Sequence, residues 1–520
     1  MAVSWLNLLP VCLALLAPVC AAGAGGASAT SGGKSQSPID VLVIRRLNEL
    51  GLQPAEPCSD EVFVRRVYLD AIGTLPTASE ARAFLEDRSP DKRGALVDRL
   101  LARDEYADYW AMRWCDLLRV KSEFPINLWP NAVQAYHRWV RTSIKKNLPL
   151  DAFASELLTA SGSNFRVPQV NFYRAVQSKT PQALAQAAAL TFMGARSEKW
   201  PAARQEGMAA FFSQVGYKAT SEWKEEIVFF DPASSNAQMA AVFPDGVRVE
   251  FAPDQDPRAV FAEWLVRPGN PWFAKCAANR LWAWLMGRGL VEEPDDIRPD
   301  NPPSNPRLLA YLESELASSR FDAKRLCAQI LKSKTYQQSC VLRSPGAAAE
   351  NNFAVYPVRR LEAEVLIDAI NQITGTGEPY TSNIPEPFSH IPESLRTIAL
   401  ADGSVTSPFL SLFGRPARET GLMSERVSEP TAGQRLHLLN SSHIQRKLER
   451  GGRLLAALRQ EGLGPREVTE TLFLTALSRL PTGEELQAVA DYRDRAGGGQ
   501  QVALDLVWAL VNTAEFQYRH

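Results

Sequence analysis

The chain has 520 residues, 45% hydrophobic and 22% charged, an ordinary globular composition with material for two to four domains. Its 57 lysines and arginines are balanced by 58 aspartates and glutamates. That balance excludes a net field that would attract nucleic acid or anionic lipid.

Residues 5–20 are apolar and residues 21–29 are small, which predicts an export signal over 1–29. The run is short for a bilayer span, so cleavage is expected rather than anchoring, and no later segment is long and apolar enough to cross a membrane. Val19 before Cys20 makes a poor lipoprotein box. Residues 30–37 form a Gly/Ser linker. The expected location is the periplasm, the cell envelope or the extracellular space. Two of the seven cysteines fall in the signal; Cys58, Cys115, Cys276, Cys327 and Cys340 make no Cys-x-x-Cys pair. This excludes the common local zinc and haem-attachment spacings. Cys115, Cys276 and Cys327 read as small core residues on helices, and an exported chain has room for one or two disulfides.

Helical periodicity runs through 39–50 and 60–72, and Gly73-Thr74-Leu75-Pro76 ends the second helix. Thr77 and Glu80 form a capping box for a helix at 79–86. Pro90 opens another, running to Tyr106. Trp110 and Trp114 lie four apart on 109–118, and further helices are expected at 131–147, 150–160 and 180–193. After about residue 222 the pattern changes: 227–230 and 240–251 read as strands around the turn Phe243-Pro244-Asp245-Gly246-Val247.

Helical pattern resumes at Pro257 and persists through Lys334, centred on 270–306. Asn270 and Pro271 suit a helix start, Phe273, Cys276, Ala277, Leu281, Trp284 and Leu285 share a face, and Gly287 and Gly289 stop it. The loop 295–303, with three prolines and three aspartates, reads as stiff and wet; Asn305-Pro306 opens the next helix. A helix at 359–374, an irregular stretch at 375–406 and helices at 432–448, 465–478, 482–494 and 500–518 complete the chain. Arg65-Arg66 and Arg359-Arg360 read as solvated or ion-paired helix faces.

An internal echo links Leu69-Asp-Ala-Ile-Gly-Thr-Leu-Pro-Thr-Ala-Ser-Glu80 with Leu474-Thr-Ala-Leu-Ser-Arg-Leu-Pro-Thr-Gly-Glu-Glu485. Each is followed some thirty residues on by a helix ending at Tyr106 or Phe516, and Ile330-Leu-Lys-Ser-Lys-Thr-Tyr336 repeats that ending. The expectation is a repeated capped hairpin, with units at the two ends of the body.

These residues resemble the paired uncharacterised domains of large exported planctomycete-type proteins, domain of unknown function fifteen-forty-nine followed by fifteen-fifty-three, often found beside c-type cytochrome modules. The first is matched by Arg65-Arg66-Val-Tyr-Leu-Asp70, Gly73-Thr-Leu-Pro-Thr77, Tyr109-Trp-Ala-Met-Arg-Trp-Cys-Asp-Leu117 and Trp129-Pro-Asn131. The second is matched by Asn270-Pro-Trp-Phe273, Asn279-Arg-Leu-Trp282, Gly287-Arg-Gly-Leu-Val291, Asn301-Pro-Pro-Ser-Asn-Pro306, Arg359-Arg-Leu-Glu-Ala-Glu364, Phe413-Gly-Arg-Pro416 and His437-Leu-Leu-Asn440. The resemblance covers nearly all of 38–520 and implies no established reaction. It also implies a Cys-x-x-Cys-His segment after Phe192-Met-Gly194, suited to haem or metal; here the stretch is Ala195-Arg-Ser-Glu-Lys-Trp-Pro201. A family Cys-x-Cys before Glu-Arg is here Leu422-Met-Ser-Glu-Arg426. Joint loss is expected if both served one redox or metal site.

Candidate sites are few. His437 and His443 lie six apart, off the i, i+4 spacing of a helical metal pair. Asp295, Asp296, Asp300 and Asn301 offer oxygen ligands without the spacing of a calcium loop, so capping and pairing with Arg298 is their expected role. Glu362 and Glu364 face different ways and make a poor acid/base pair. Trp272, Trp282 and Trp284 read as core, with only Trp282 leaving the apolar face. Neither a Gly-rich phosphate loop nor a Gly-x-Ser-x-Gly occurs.

The expected fold is mainly α, a multi-helix bundle-like body with a small β-hairpin insert near 225–255. It divides into 38–222, the insert at 223–256, and 257–520. The expected function is a non-enzymatic exported interaction or scaffold protein of the envelope or of polysaccharide processing, without a cofactor, its partner another envelope protein or a polysaccharide. Two alternatives stand. One is an envelope hydrolase or redox accessory using Arg280, Asp296, Arg415 and Glu425, which requires those side chains to share a cleft. The other is a glycan-binding module, which requires Trp200 and Trp282 along one groove.

Overall fold

The computed structural model describes residues 37–234, 237–343, 346–385, 388–450, 462–496 and 499–520. The expected signal at 1–29, and the linker apart from Ser37, lie outside the described residues. The body is helical: α1 (Pro38–Glu49), α2 (Asp60–Ile72), α3 (Ala78–Glu86), α4 (Lys92–Leu101), α5 (Asp104–Leu117), α6 (Pro130–Lys145) and α7 (Leu150–Thr159) form its first part. A two-residue strand β1 (Gly162–Ser163), then α8 (Pro181–Ala188) with a π-helical turn at Ala189–Met193, and α9 (Ala202–Ala209) lead to the sheets.

β2 (Val215–Ala219) and β3 (Glu226–Phe230) pair antiparallel from Val215↔Phe230 to Ala219↔Glu226, and β1 adds to the other edge of β3. β4 (Ala240–Val242) and β5 (Arg248–Glu250) close a hairpin on the expected turn, where Phe243 N donates to Val247 O at 2.9 Å. The first hairpin therefore starts at Val215, before residue 222, and borrows a strand from 162–163.

The second part contains α10 (Pro257–Val266), α11 (Phe273–Met286), α12 (Pro306–Ser318), α13 (Ala323–Lys332), β6 (Arg359–Arg360), α14 (Ala363–Thr374), α15 (Ala432–Asn440), α16 (Ser442–Arg450), α17 (Pro465–Leu477), α18 (Gly483–Ala496), α19 (Gly499–Val511) and β7 (Tyr518–Arg519). Asn270 caps α11, its Oδ1 accepting from Trp272 N (3.0 Å) and Phe273 N (3.2 Å), and Gly287 ends it at φ +80°. Nearly all of α11 is buried, not one face: Trp282 has 0% exposure and meets Phe353 edge-on at 5.1 Å, while Trp284 receives Trp110 and Trp114 edge-on at 5.6 and 5.7 Å. The expected long helix at 359–374 starts only at Ala363, because Arg359 and Arg360 form β6 and pair with Arg519 and Tyr518 of β7. The expected helix at 432–448 breaks at Ser441. No disulfide joins the five described cysteines. Among the described residues no helix is long and apolar enough to cross a membrane.

The echo corresponds to repeated geometry. Gly73 and Ser478 both end their helices left-handed, at φ +63° and +60°. Thr77 and Glu80 reciprocate backbone bonds, as do Thr482 and Glu485. In one unit Arg103 bridges Glu80 (2.7 Å) and Glu105 (2.5 Å); in the other Arg479 bridges Glu485 (2.8 Å) and Glu515 (2.7 Å). The units do not sit at opposite ends. α3 packs on α17, and Arg65 Nη1 donates to Ala476 O at 2.6 Å.

Candidate functional site

The arginines of the sequence motifs point inward. Arg65 and Arg66, expected on a solvated or ion-paired helix face, are 2% and 1% exposed. Arg65 Nη2 donates to Phe516 O (2.6 Å); Arg66 donates to Tyr336 O (2.6 Å), Gln338 O (2.8 Å) and His520 O (2.9 Å). The Phe516 carbonyl lies at a helix end, which leaves acceptors without intrahelical donors. α2 thus closes the ends of both other hairpin units.

Carboxylates bind several further arginines. Asp70 accepts from Tyr336 Oη (2.8 Å), Tyr356 Oη (2.7 Å) and Arg359 (2.9 Å). Glu362 is held by Arg113 (2.5 Å) and Arg519. Glu364 is held by Arg415 (3.2 Å) and Arg426 (2.6 Å), and Asp116 by Arg418 (2.8 Å) and Arg426 (2.7 Å). Burial alone would raise the Glu364 carboxyl; Arg426, its hydrogen bonds and Arg415 outweigh this and hold it down at about 2. Arg360 donates to Phe413 O, Val427 O and Ser428 O.

The two segments where the resemblance implies cysteine ligands both attach to the 293–296 loop. Arg280, 2% exposed, donates to Thr191 O, Leu190 O (2.5 Å) and Asp295 (2.7 Å), and the other oxygen of Asp295 accepts from Met423 N at 2.6 Å. Asp295 therefore ties the 189–194 turn to 422–426. Ion pairs occupy the surroundings: Arg196–Glu293 at 3.2 Å and Lys199–Asp296 at 3.4 Å. The nearby thiol, Cys276, is pushed up to about 11 by burial and is no ready metal ligand. The residues present do not fit a haem or soft-metal group, because neither segment holds a cysteine or histidine and the charged side chains already pair with one another.

Each catalytic candidate is committed to local partners. Arg280 and Asp296 sit beside 189–199; Arg415 is buried on Glu364, Val405 O and Asp402 O; Glu425 accepts from Glu419 N, Thr420 N and Thr420 Oγ1 and closes its own turn. The aspartate loop does not converge either. Asp295 and Asp296 are buried rather than wet, Asp300 is exposed, Arg298 pairs with Asp296 (3.2 Å) and Asp300 (2.5 Å), and Asn301 donates to Glu292 O and Asp296 O. No groove joins the tryptophans, since Trp282 is fully buried and Trp200 is half-buried under Arg204 at 4.0 Å.

His437 and His443, six apart in sequence, are brought together by the break at Ser441: His437 Nε2 lies 3.4 Å from His443 Nδ1. His443 Nε2 faces Glu378 at 3.1 Å, and Lys447 holds Glu378 at 2.7 Å. Helical spacing conceals this pair because the chain is not one helix there.

A cleft of about 1170 Å³ opens between the Thr74–Thr77 turn and α14, lined among others by Glu80, Arg103, Asp368, Arg396 and Arg450. Burial raises the Asp368 carboxyl, which caps Thr397 N (2.8 Å) and Ile398 N (3.1 Å) and so is already committed to backbone.

Elsewhere three loops converge on an aromatic surface that sequence reading passed over. Trp129 meets Trp223 at 6.3 Å and Phe388 at 5.5 Å, with Lys224 over both tryptophans at 5.3 and 5.2 Å. Phe124, on the same loop as Trp129, is 80% exposed and Trp223 is 65% exposed. The available signal was the placing of Phe124-Pro125 and Trp223-Lys224 in turn-rich stretches. Beside them, Glu123 Oε1 and Trp129 Nε1 are buried atoms without a hydrogen-bond partner.

Comparison with known families finds PSCyt2, protein of unknown function (DUF1549), over residues 38–210 and PSD1, protein of unknown function (DUF1553), over residues 257–493. No curated protein and no solved structure matches the chain. The inward-turned motif arginines, the motif carboxylates that hold them and these two consecutive matches place the chain in the family of paired PSCyt2 and PSD1 domains.

Proposed function

We propose that the protein is an exported, non-enzymatic interaction or scaffold component of the cell envelope or of a polysaccharide-processing system. The observation that carries this reading is that the motif residues Arg65, Arg66, Asp70, Arg113, Arg360, Glu362, Glu364 and Arg415 are turned into the body and bonded to one another or to backbone. A further support is that, where the resemblance implies soft ligands, Arg196, Lys199 and Arg280 pair with carboxylates of the 293–296 loop. The test is a visible absorption spectrum with elemental analysis on the full chain purified from an envelope fraction, followed by partner capture. The expected result is no Soret band and a reproducible envelope partner; a stoichiometric haem would overturn the reading.

A glycan-binding reading is favoured by the aromatic loop surface. Aromatic faces stack on sugar rings through apolar contact, and exposed aromatics grouped on scaffolded loops mark binding surfaces. Retardation in native gels cast with cell-wall polysaccharide should be seen for the parent chain and lost in Trp223→Ala and Phe124→Ala. Equal migration of all three with and without polysaccharide would end this reading.

A further inference from the structure

We infer that His437 and His443 form an open, two-imidazole site for a borderline divalent transition metal, with zinc as the reference ion. The spacing carries the inference. Two imidazole nitrogens at about 2.0–2.1 Å from a tetrahedral zinc lie about 3.3–3.4 Å apart. His437 Nε2 and His443 Nδ1 face each other at 3.4 Å. The same distance also admits an imidazole–imidazole hydrogen bond when no ion is bound.

The surroundings match what a metal-bound imidazole needs. A ligating histidine gives its other ring N–H to a carboxylate, which fixes the tautomer and raises the basicity of the ligand nitrogen. His443 Nε2 lies 3.1 Å from Glu378 Oε2, leaving Nδ1 as the lone-pair nitrogen. Glu378 is 6% exposed and is held by Lys447, which also donates to Asn371 Oδ1 (2.7 Å) and Gly377 O (2.8 Å). The carboxylate is thus anchored, and its charge offsets the ammonium behind it. The Phe409 ring packs against both imidazoles at 5.6 and 5.8 Å and limits their rotation.

Both histidines are part-exposed, so an ion can reach them. Among the described residues no third His, Cys, Asp or Glu is grouped with them for a metal. The two remaining tetrahedral positions fall to water, one more than in a zinc site with three protein ligands. With the proton of the neutral His437 ring on Nδ1, both facing nitrogens offer their lone pairs to the ion.

The experiment is calorimetric titration of Zn²⁺ into the full chain after chelator treatment and dialysis, with circular dichroism to check the fold of each variant. One equivalent is expected to bind, with binding abolished in His437→Gln and His443→Gln and weakened about tenfold to a hundredfold in Glu378→Gln. Electron paramagnetic resonance of the parent chain with one equivalent of Cu²⁺ gives a variant-independent readout. Coupling to two imidazole nitrogens supports the site. Coupling to fewer than two, binding that survives in either histidine variant, or no Zn²⁺ uptake would overturn it and leave the pair an imidazole–imidazole hydrogen bond.

Discussion

Glu364 shows what the buried charges do. It has 0% exposure and lies between Arg415 and Arg426. Replacing one partner of a buried ion pair strands the other charge at a cost of about 3–5 kcal/mol, so Glu364→Ala should lower unfolding stability by that amount in urea titrations. An unchanged midpoint would mean that solvent reaches the two guanidiniums. The same group sets an acid limit. Its carboxyl is held at about 2, below the ordinary 4.5, so its contribution is complete above pH 4.5 and is lost as pH falls toward 2. His137 acts in the same direction over a higher window. Burial, then Arg418, Arg141 and Arg138, holds its imidazole at about 3. Neutral in the fold, it begins to weaken stability below about pH 6.5 as the unfolded chain takes up the proton. A thermal melting series from pH 7 to 3 should fall steadily, and His137→Gln should flatten its upper part between pH 6.5 and 4. None of these contacts was legible in the sequence. Local pattern reads Arg65-Arg66 as a solvated or ion-paired face because nothing nearby says that a guanidinium reaches a carbonyl 451 residues away.

At the scale of elements, the sequence was more informative. The Asn270 cap, the Gly287 stop, the Thr77 box and the turn at 243–247 follow from local chemistry and are present. What escaped was short or paired at long range. β6 looks like helix by composition, and only its partner β7 makes it a strand. β2 has five residues with a glycine inside and sits directly after a helical segment. The two equivalent left-handed helix ends offer a paired test. At Gly73 a Cβ would lie 2.4 Å from Tyr109 Cδ2, so Gly73→Ala adds a ring displacement to the roughly 1–2 kcal/mol of a left-handed alanine. At Ser478 the side chain is already accommodated, though its buried Oγ has no hydrogen-bond partner. Ser478→Gly should be neutral or stabilising by up to about 1 kcal/mol. Chemical denaturation of the two variants should therefore move in different directions; equal losses would mean that the two ends are not equivalent.

At the scale of the whole molecule, the two family domains share their buried charges. Asp70 and Arg113 belong to the first match, while Arg359 and Glu362 belong to the second. Arg519 bonds Glu362 and lies 3.4 Å from Asp70. Deleting residues 516–520 removes Arg519 and the acceptors of Arg65 Nη2 and Arg66 Nε at once. The shortened chain should lose its single cooperative melting transition and become sensitive to limited proteolysis within 60–117 as well as near its end. A separately produced segment 38–222 should behave as a molten, dye-binding species. Proteolysis confined to the C-terminal helices would instead show that the first domain stands alone.

The closure of α2 onto the far end of the chain also fixes an order in time. Ribosomes add about 5–20 residues per second. Phe516 follows Arg65 by 451 residues, so roughly 20–90 s pass between their syntheses. Until Ala476 and Phe516 emerge, the Arg65 guanidinium and the apolar face around it have no lasting place to go. A nascent chain in this condition is a client for a holding chaperone until its last helices emerge.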